Sequence, residues 1–159
     1  MKRSRELRPL SSEHHQALLV AFQMRKSLEG HPEAAGAPRD LPGLVSLARR
    51  FDRQVFTPHA AAEEALLSEH ISAPDRARLA AEHLELKGLV EHARTAAPGA
   101  QRVALASFAD LLERHVRWEE RELFPYAESH LDAAALAVIG GELERRLVLA
   151  GQGMRGARR

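Results

Sequence analysis

The chain contains no cysteine, which excludes disulfides, zinc–thiolate sites and iron–sulfur ligation together. Aromatic residues make up only 4% of it. Leu, Ala, Glu and Arg dominate instead, and these are good helix formers, so an all-α fold is expected. No long uncharged apolar run occurs, so no membrane-spanning helix is expected. The first residues lack the apolar stretch of a secretory signal, which makes the cytoplasm the expected location. Charge of one sign is also lacking: 23 Lys and Arg face 22 Asp and Glu, for a net charge of +1. That balance offers no basic field to gather nucleic acid. No nucleophile triad, phosphate loop or nucleotide fingerprint is present. The length, 159 residues with 45% apolar, fits one domain with a substantial core. We expect that domain over residues 1–150, followed by a disordered basic tail, 151–159.

Punctuation divides the chain into helices. The first is expected from Ser11 or Ser12 to about Glu29, with Leu18, Leu19, Phe22 and Leu28 as its apolar stripe. A Gly/Pro-rich loop follows, from Gly30 through Pro38. The second helix is expected from about Pro42 to Glu69. It contains Pro58, which removes one backbone hydrogen bond and frees the carbonyl of Gln54. Ser72-Ala73-Pro74-Asp75 is a strong start for a third helix, to about Ala96. A fourth runs from about Gln101 to Phe124, where Pro125 ends or kinks it, and Asp132 opens a shorter fifth. Long helices with short connections predict an antiparallel up-down-up-down four-helix bundle with a short C-terminal fifth helix.

Two stretches of this chain repeat one pattern. His59 is followed by three residues and then Glu63-Glu64; His115 is followed by three and then Glu119-Glu120. Positions i and i+4 share one helix face, so each block presents an imidazole and a carboxylate to the same point. Iron, manganese and zinc all accept that ligand set. About one such pair is expected by chance from composition, so the signal is the duplicated block rather than either pair.

His15 and His83 complete the candidate set, each followed by apolar residues at helical spacing. Glu13-His14 resembles Glu82-His83, which leaves His14 as an alternative; the apolar pattern after His15 favours His15. A rise of about 1.5 Å per residue puts His15 about 21 Å from the end of its helix and His59 about 26 Å from the start of the next. The same rise puts His83 and His115 about 21 and 24 Å from their shared turn. All four fall at nearly one level. His31, His70, His92 and His130 fall off that level or face and are expected to be solvated. Four imidazoles and two carboxylates from four helices suit two metals bridged by Glu63 and Glu119, with open positions for a small molecule.

This ordered set resembles the hemerythrin-like, or HHE cation-binding, family. The resemblance runs from Ser11 to about Ala127. It is carried by the histidine in Glu13-His14-His15, the His59-to-Glu63 motif, Glu82-His83, and the His115-to-Glu119 motif followed by Leu123-Phe124-Pro125. It implies a four-helix bundle holding a non-haem di-iron centre, with Glu63 and Glu119 as bridges and His15, His59, His83 and His115 as terminal ligands. Manganese or zinc could replace iron. Oxygen-carrying hemerythrins place a second histidine one turn after the third-helix ligand, where this chain has Lys87. Lys87 could donate a hydrogen bond to a metal-bound species or reach past the site to solvent. Their second bridge would fall on Glu120, whereas the +4 spacing favours Glu119. The departure at Lys87 disfavours reversible oxygen carriage and favours redox chemistry or sensing.

Three readings follow. The first is a di-iron binding protein that senses, stores or handles iron, dioxygen or nitric oxide. The second is a di-iron enzyme turning over peroxide or nitric oxide, and the third a metal-free structural helical module. The implied partner is a small gaseous ligand or peroxide, with no nucleic acid and no membrane; the sequence names no protein partner.

Overall fold

The computed structural model describes residues 4–31 and 36–156, with backbone only for 149–156. Residues 32–35 of the expected loop and 157–159 of the expected tail lie outside it. The described residues form five helical stretches and contain no strand. We label them α1 (Arg8–Leu28), α2 (residues 41–67), α3 (Ala73–Thr95), α4 (residues 98–130) and α5 (Ala133–Gly156). α5 reaches residues 151–156 of the stretch expected to be a tail. No helix among the described residues is long and apolar enough to cross a membrane.

Most helix starts follow local chemistry. Asp40 caps α2 by accepting the Gly43 N–H at 2.7 Å, and Ser72 caps α3 by accepting that of Asp75 at 3.2 Å. Each such cap contributes about 1 kcal/mol. α1 departs from expectation. It begins three residues before Ser11, with Pro9 in its first turn, where the missing proline N–H costs nothing. Ser11 is therefore not a cap, and its hydroxyl donates instead to Glu120 Oε1 at 2.6 Å.

The prolines inside α2 and α4 act in one way. Asp52–Phe56 and Glu119–Leu123 are π-helical turns. The residue after each, Thr57 or Phe124, donates its N–H five residues back, to Asp52 or Glu119. Pro58 and Pro125 come next. A proline cannot bond to the carbonyl four residues back and its ring collides with it; a widened turn accommodates both problems. Pro125 therefore does not end α4, which continues as Phe124–His130.

α4 is the central element, packed along α1 and α3 and also against α2. The arrangement is consistent with a four-helix bundle plus a C-terminal helix. Its interior holds two apolar clusters. One contains Met24, Leu44, Phe51, Phe56, Leu86, Phe108 and Leu112. The other contains Leu7, Leu10, Leu67, Leu79, Leu123 and Phe124, with Ile139 and Leu143 from α5. α5 packs on the second half of α2 and on α1. Gly140 permits close approach there, since a Cβ would meet Glu6 Cα at 3.0 Å. Six buried polar side chains join this otherwise apolar interior: His14, His59, Glu63, His83, His115 and Glu119.

Candidate metal centre

Each bundle helix contributes to these six residues. α2 supplies His59 and Glu63 one turn apart, and α4 supplies His115 and Glu119 in the same relation. α1 adds His14 and α3 adds His83. The ligand atoms fall into two groups, each within 4.8 Å: His14, His59, Glu63 and Glu119, and Glu63, His83, His115 and Glu119. Both carboxylates belong to both groups.

The two carboxylates divide their oxygens between the groups. Glu63 Oε1 lies 3.2 Å from His59 Nε2, while Oε2 lies 3.4 Å from His83 Nε2. Glu119 Oε2 lies 3.1 Å from His14 Nε2, while Oε1 lies 2.9 Å from His115 Nε2. Each carboxylate thus presents one oxygen to each histidine pair.

Hydrogen bonding leaves the centre incomplete. Seven buried side-chain polar atoms among the described residues have no hydrogen-bond partner, and six belong here: both oxygens of Glu63, both of Glu119, and Nε2 of His83 and of His115. The four carboxylate oxygens face histidine Nε2 atoms at 2.9, 3.1, 3.2 and 3.4 Å as charge contacts. Each unsatisfied buried group costs about 1–3 kcal/mol, and native proteins tolerate few. Cations accepting imidazole nitrogen and carboxylate oxygen would satisfy all six, so the donor set fits a metal pair.

The outer faces of the imidazoles are fully engaged. His59 Nδ1 donates to Glu13 at 2.9 Å and His83 Nδ1 to Glu64 at 2.7 Å. His115 Nδ1 donates to Glu82 at 2.8 Å and His14 Nδ1 to Glu120 at 2.7 Å. An ionised carboxylate can only accept, so Nδ1 carries the hydrogen in each ring.

Charge in the protein alone follows from the same contacts. Burial opposes protonation of His115, but Glu119 in front and Glu82 behind prevail and push it up to about 10. Burial likewise opposes charge on His59, yet Glu63 and Glu13 hold it well above its ordinary value. His14 is raised by Glu119 and Glu120 against the effect of burial. Burial would raise Glu119, but His115 and His14 hold it well below the usual carboxylate range. Glu63 is lowered by His59 and His83, against burial and the nearby Glu119.

Aromatic rings wall the layer. Phe124 stacks on His14 with centroids 5.3 Å apart, and Phe56 meets His83 edge-on at 5.5 Å. On one side lies a cavity lined by Ala17, Phe51, Val55, Leu112 and Val116 together with His14, His59, His115 and Glu119. It leaves about 10 Å³ for the centre of a water-sized molecule, room for about one such molecule.

Residues 6–133 match the hemerythrin HHE cation binding domain. The chain belongs to this family. No curated protein and no solved structure matches it.

Against the HHE pattern read from the sequence, the structure brings together His59, Glu63, His83, His115 and Glu119. It does not bring His15. That side chain is exposed, and His14 takes the expected place. The apolar residues that pointed to His15 mislead, because Leu19 and Phe22 share its outward face and are themselves exposed. The match of Glu13-His14 to Glu82-His83 is the pattern that picks out the buried histidine. Of the two readings of Lys87, the structure agrees with the one in which it reaches past the site. It is half-buried and lines a surface groove with Arg49, Asp52, Arg53, Val90, Glu91 and Arg94. Glu120 faces His14 Nδ1 rather than the centre. His31, His92 and His130 are exposed and His70 is half-buried; none joins either group. The outer carboxylates Glu13, Glu64, Glu82 and Glu120 were missed as partners of the histidines.

Proposed function

We propose that the protein binds a pair of iron ions, bridged by Glu63 and Glu119 and held by His14 and His59 on one side and His83 and His115 on the other. The observation that carries this reading is the division of each bridging carboxylate between the two histidine pairs. Manganese or zinc suits the same donors, and family membership favours a cation without choosing among them. We read the bundle as antiparallel, up-down-up-down, which is the arrangement that brings one level of four helices together.

We further propose that the pair handles a small uncharged ligand, dioxygen or nitric oxide, in sensing or redox chemistry. An iron pair supplies electrons and open coordination positions to such a ligand. The chain supplies the rest. Ala17, Val55, Leu112 and Val116 line a small, mostly apolar space with room for about one water-sized molecule. His14, His59 and His115 border it, so a ligand held there meets the centre from that side. No histidine stands at Lys87 to complete the ligand set of an oxygen carrier, and Lys87 lines a surface groove instead.

Iron reconstitution of tag-free protein, followed by anaerobic titration with nitric oxide, tests the reading. The expected result is uptake of iron and an absorbance change that saturates with nitric oxide. Retention of zinc or manganese in preference to iron, with no response to nitric oxide, would overturn it.

A further inference from the structure

The four outer carboxylates form a closed circuit. α1 sends Glu13 to His59 of α2, and α2 sends Glu64 to His83 of α3. α3 sends Glu82 to His115 of α4, and α4 sends Glu120 to His14 of α1. Every bundle helix gives one carboxylate to the next, and every imidazole receives one. We propose that Glu13, Glu64, Glu82 and Glu120 are the positioning residues of the cation centre, each fixing a neighbouring helix's imidazole as the Nδ1–H tautomer so that four Nε2 lone pairs meet at Glu63 and Glu119. The inference rests on the cation-pair reading.

Helix geometry explains where these residues stand. Successive residues are about 100° apart around an α-helix. When His14 or His83 faces the centre, the preceding Glu13 or Glu82 faces sideways, toward an adjacent helix. When Glu63 or Glu119 faces the centre, the following Glu64 or Glu120 does the same in the other sense. The two halves of the chain therefore repeat one device: an acid before the histidine on α1 and α3, an acid after the bridge on α2 and α4.

The circuit matters because a neutral imidazole has one hydrogen and two places to put it. On Nε2 that hydrogen would point at the cation and remove the ring as a ligand. A carboxylate on Nδ1 settles the choice and also raises ligand basicity. The outer carboxylates keep water access: Glu13 and Glu82 are about one-fifth exposed and Glu64 nearly half. Their charge is thus held at the edge of the bundle without full desolvation. Two have second anchors, with Arg78 donating to Glu82 at 2.8 Å and Ser11 to Glu120 at 2.6 Å.

The test uses full-length, tag-free protein and zinc, a diamagnetic probe, in competition with a chromophoric chelator. Long-range proton–nitrogen NMR reads the tautomer of each ring. Wild type is expected to take two zinc ions and to show four protected Nδ1–H signals. Glu13→Ala, Glu64→Ala, Glu82→Ala and Glu120→Ala should each lose the signal of one ring: His59, His83, His115 and His14 respectively. Zinc affinity should fall by about 10- to 100-fold in each. The Glu→Gln variants, whose amide oxygen still accepts, should recover most of the signal and the affinity. Glu122→Ala, at an exposed position on α4, should change neither. Wild type binding two ions while the alanine variants bind as tightly, or glutamine variants no better than alanine, overturns the positioning role alone. A wild type that takes up no zinc overturns the cation-pair reading and this inference with it.

Discussion

The Nε2 atoms of His14 and His59 face each other across 3.1 Å. They come from different helices, and the Nδ1 of each donates to its own carboxylate, Glu120 or Glu13. Without a cation the contact is favourable only when one Nε2 carries a hydrogen and the other a lone pair. A cation instead accepts both lone pairs. The pair therefore stores a requirement that metal meets.

Metal should stabilise the fold for that reason. Anything that binds only the native state adds stability by mass action, about 2.7 kcal/mol at a hundredfold excess over the dissociation constant. For a chain of this size that corresponds to about 5–10 °C in melting temperature. Calorimetry before and after verified chelation checks it, and superimposable melting curves would count against a cation in the core.

The placement of His14 has its own test. His14→Ala should lose most of the bound metal, since it removes one donor from the group formed with His59, Glu63 and Glu119. His15→Ala, at an exposed position, should retain wild-type metal content. The opposite pattern would restore His15 as the ligand.

How much of this was readable beforehand depended on range. His59 with Glu63 and His115 with Glu119 are one turn apart, so i,i+4 spacing alone places each pair on one face. His14 against His15 turned on which face of α1 is buried. Leu19 and Phe22 suggested the wrong one, because apolar side chains also occur singly on surfaces. The π turns before Pro58 and Pro125 were not legible, since a proline announces a local problem but not whether the helix kinks, stops or widens. The outer carboxylates were hidden because each serves a different helix from the one carrying it. Glu120 next to Glu119 reads as a duplicate bridge until the position of α1 is known.

Proton competition should govern cation binding. His115 is pushed up to about 10 and His59 is raised well above its ordinary value. Histidines raised in this way stabilise the metal-free protein fully below their unfolded value of about 6.5, and that contribution is lost as pH rises toward about 10. The metal-free melting temperature should therefore fall between pH 7 and pH 10. Cation affinity should move oppositely, because neutral imidazole is the ligand. Adding zinc at pH 7 in weak buffer should release about one proton or more per chain. No acidification on binding would contradict the assignment of His59 and His115 as ligands.

The cavity beside the centre makes a separate prediction. Ala17→Leu would fill a space suited to about one small molecule. Overpacking of this kind costs about 1–3 kcal/mol. Metal content should persist while nitric oxide binding to the iron-loaded protein weakens by at least about tenfold, corresponding to about 1.4 kcal/mol. Unchanged nitric oxide titration in a folded, metal-replete variant would place the ligand elsewhere.

The most direct measurement is metal content per chain in tag-free wild type, Glu63→Ala and Glu119→Ala. Each of these carboxylates faces both histidine pairs, so removing either should weaken both positions at once. The expected result is about two metals per wild-type chain and loss from both positions, well below half occupancy, in each variant. Wild-type protein with no bound metal after reconstitution, or variants that keep the full wild-type content, would contradict a cation pair bridged by Glu63 and Glu119.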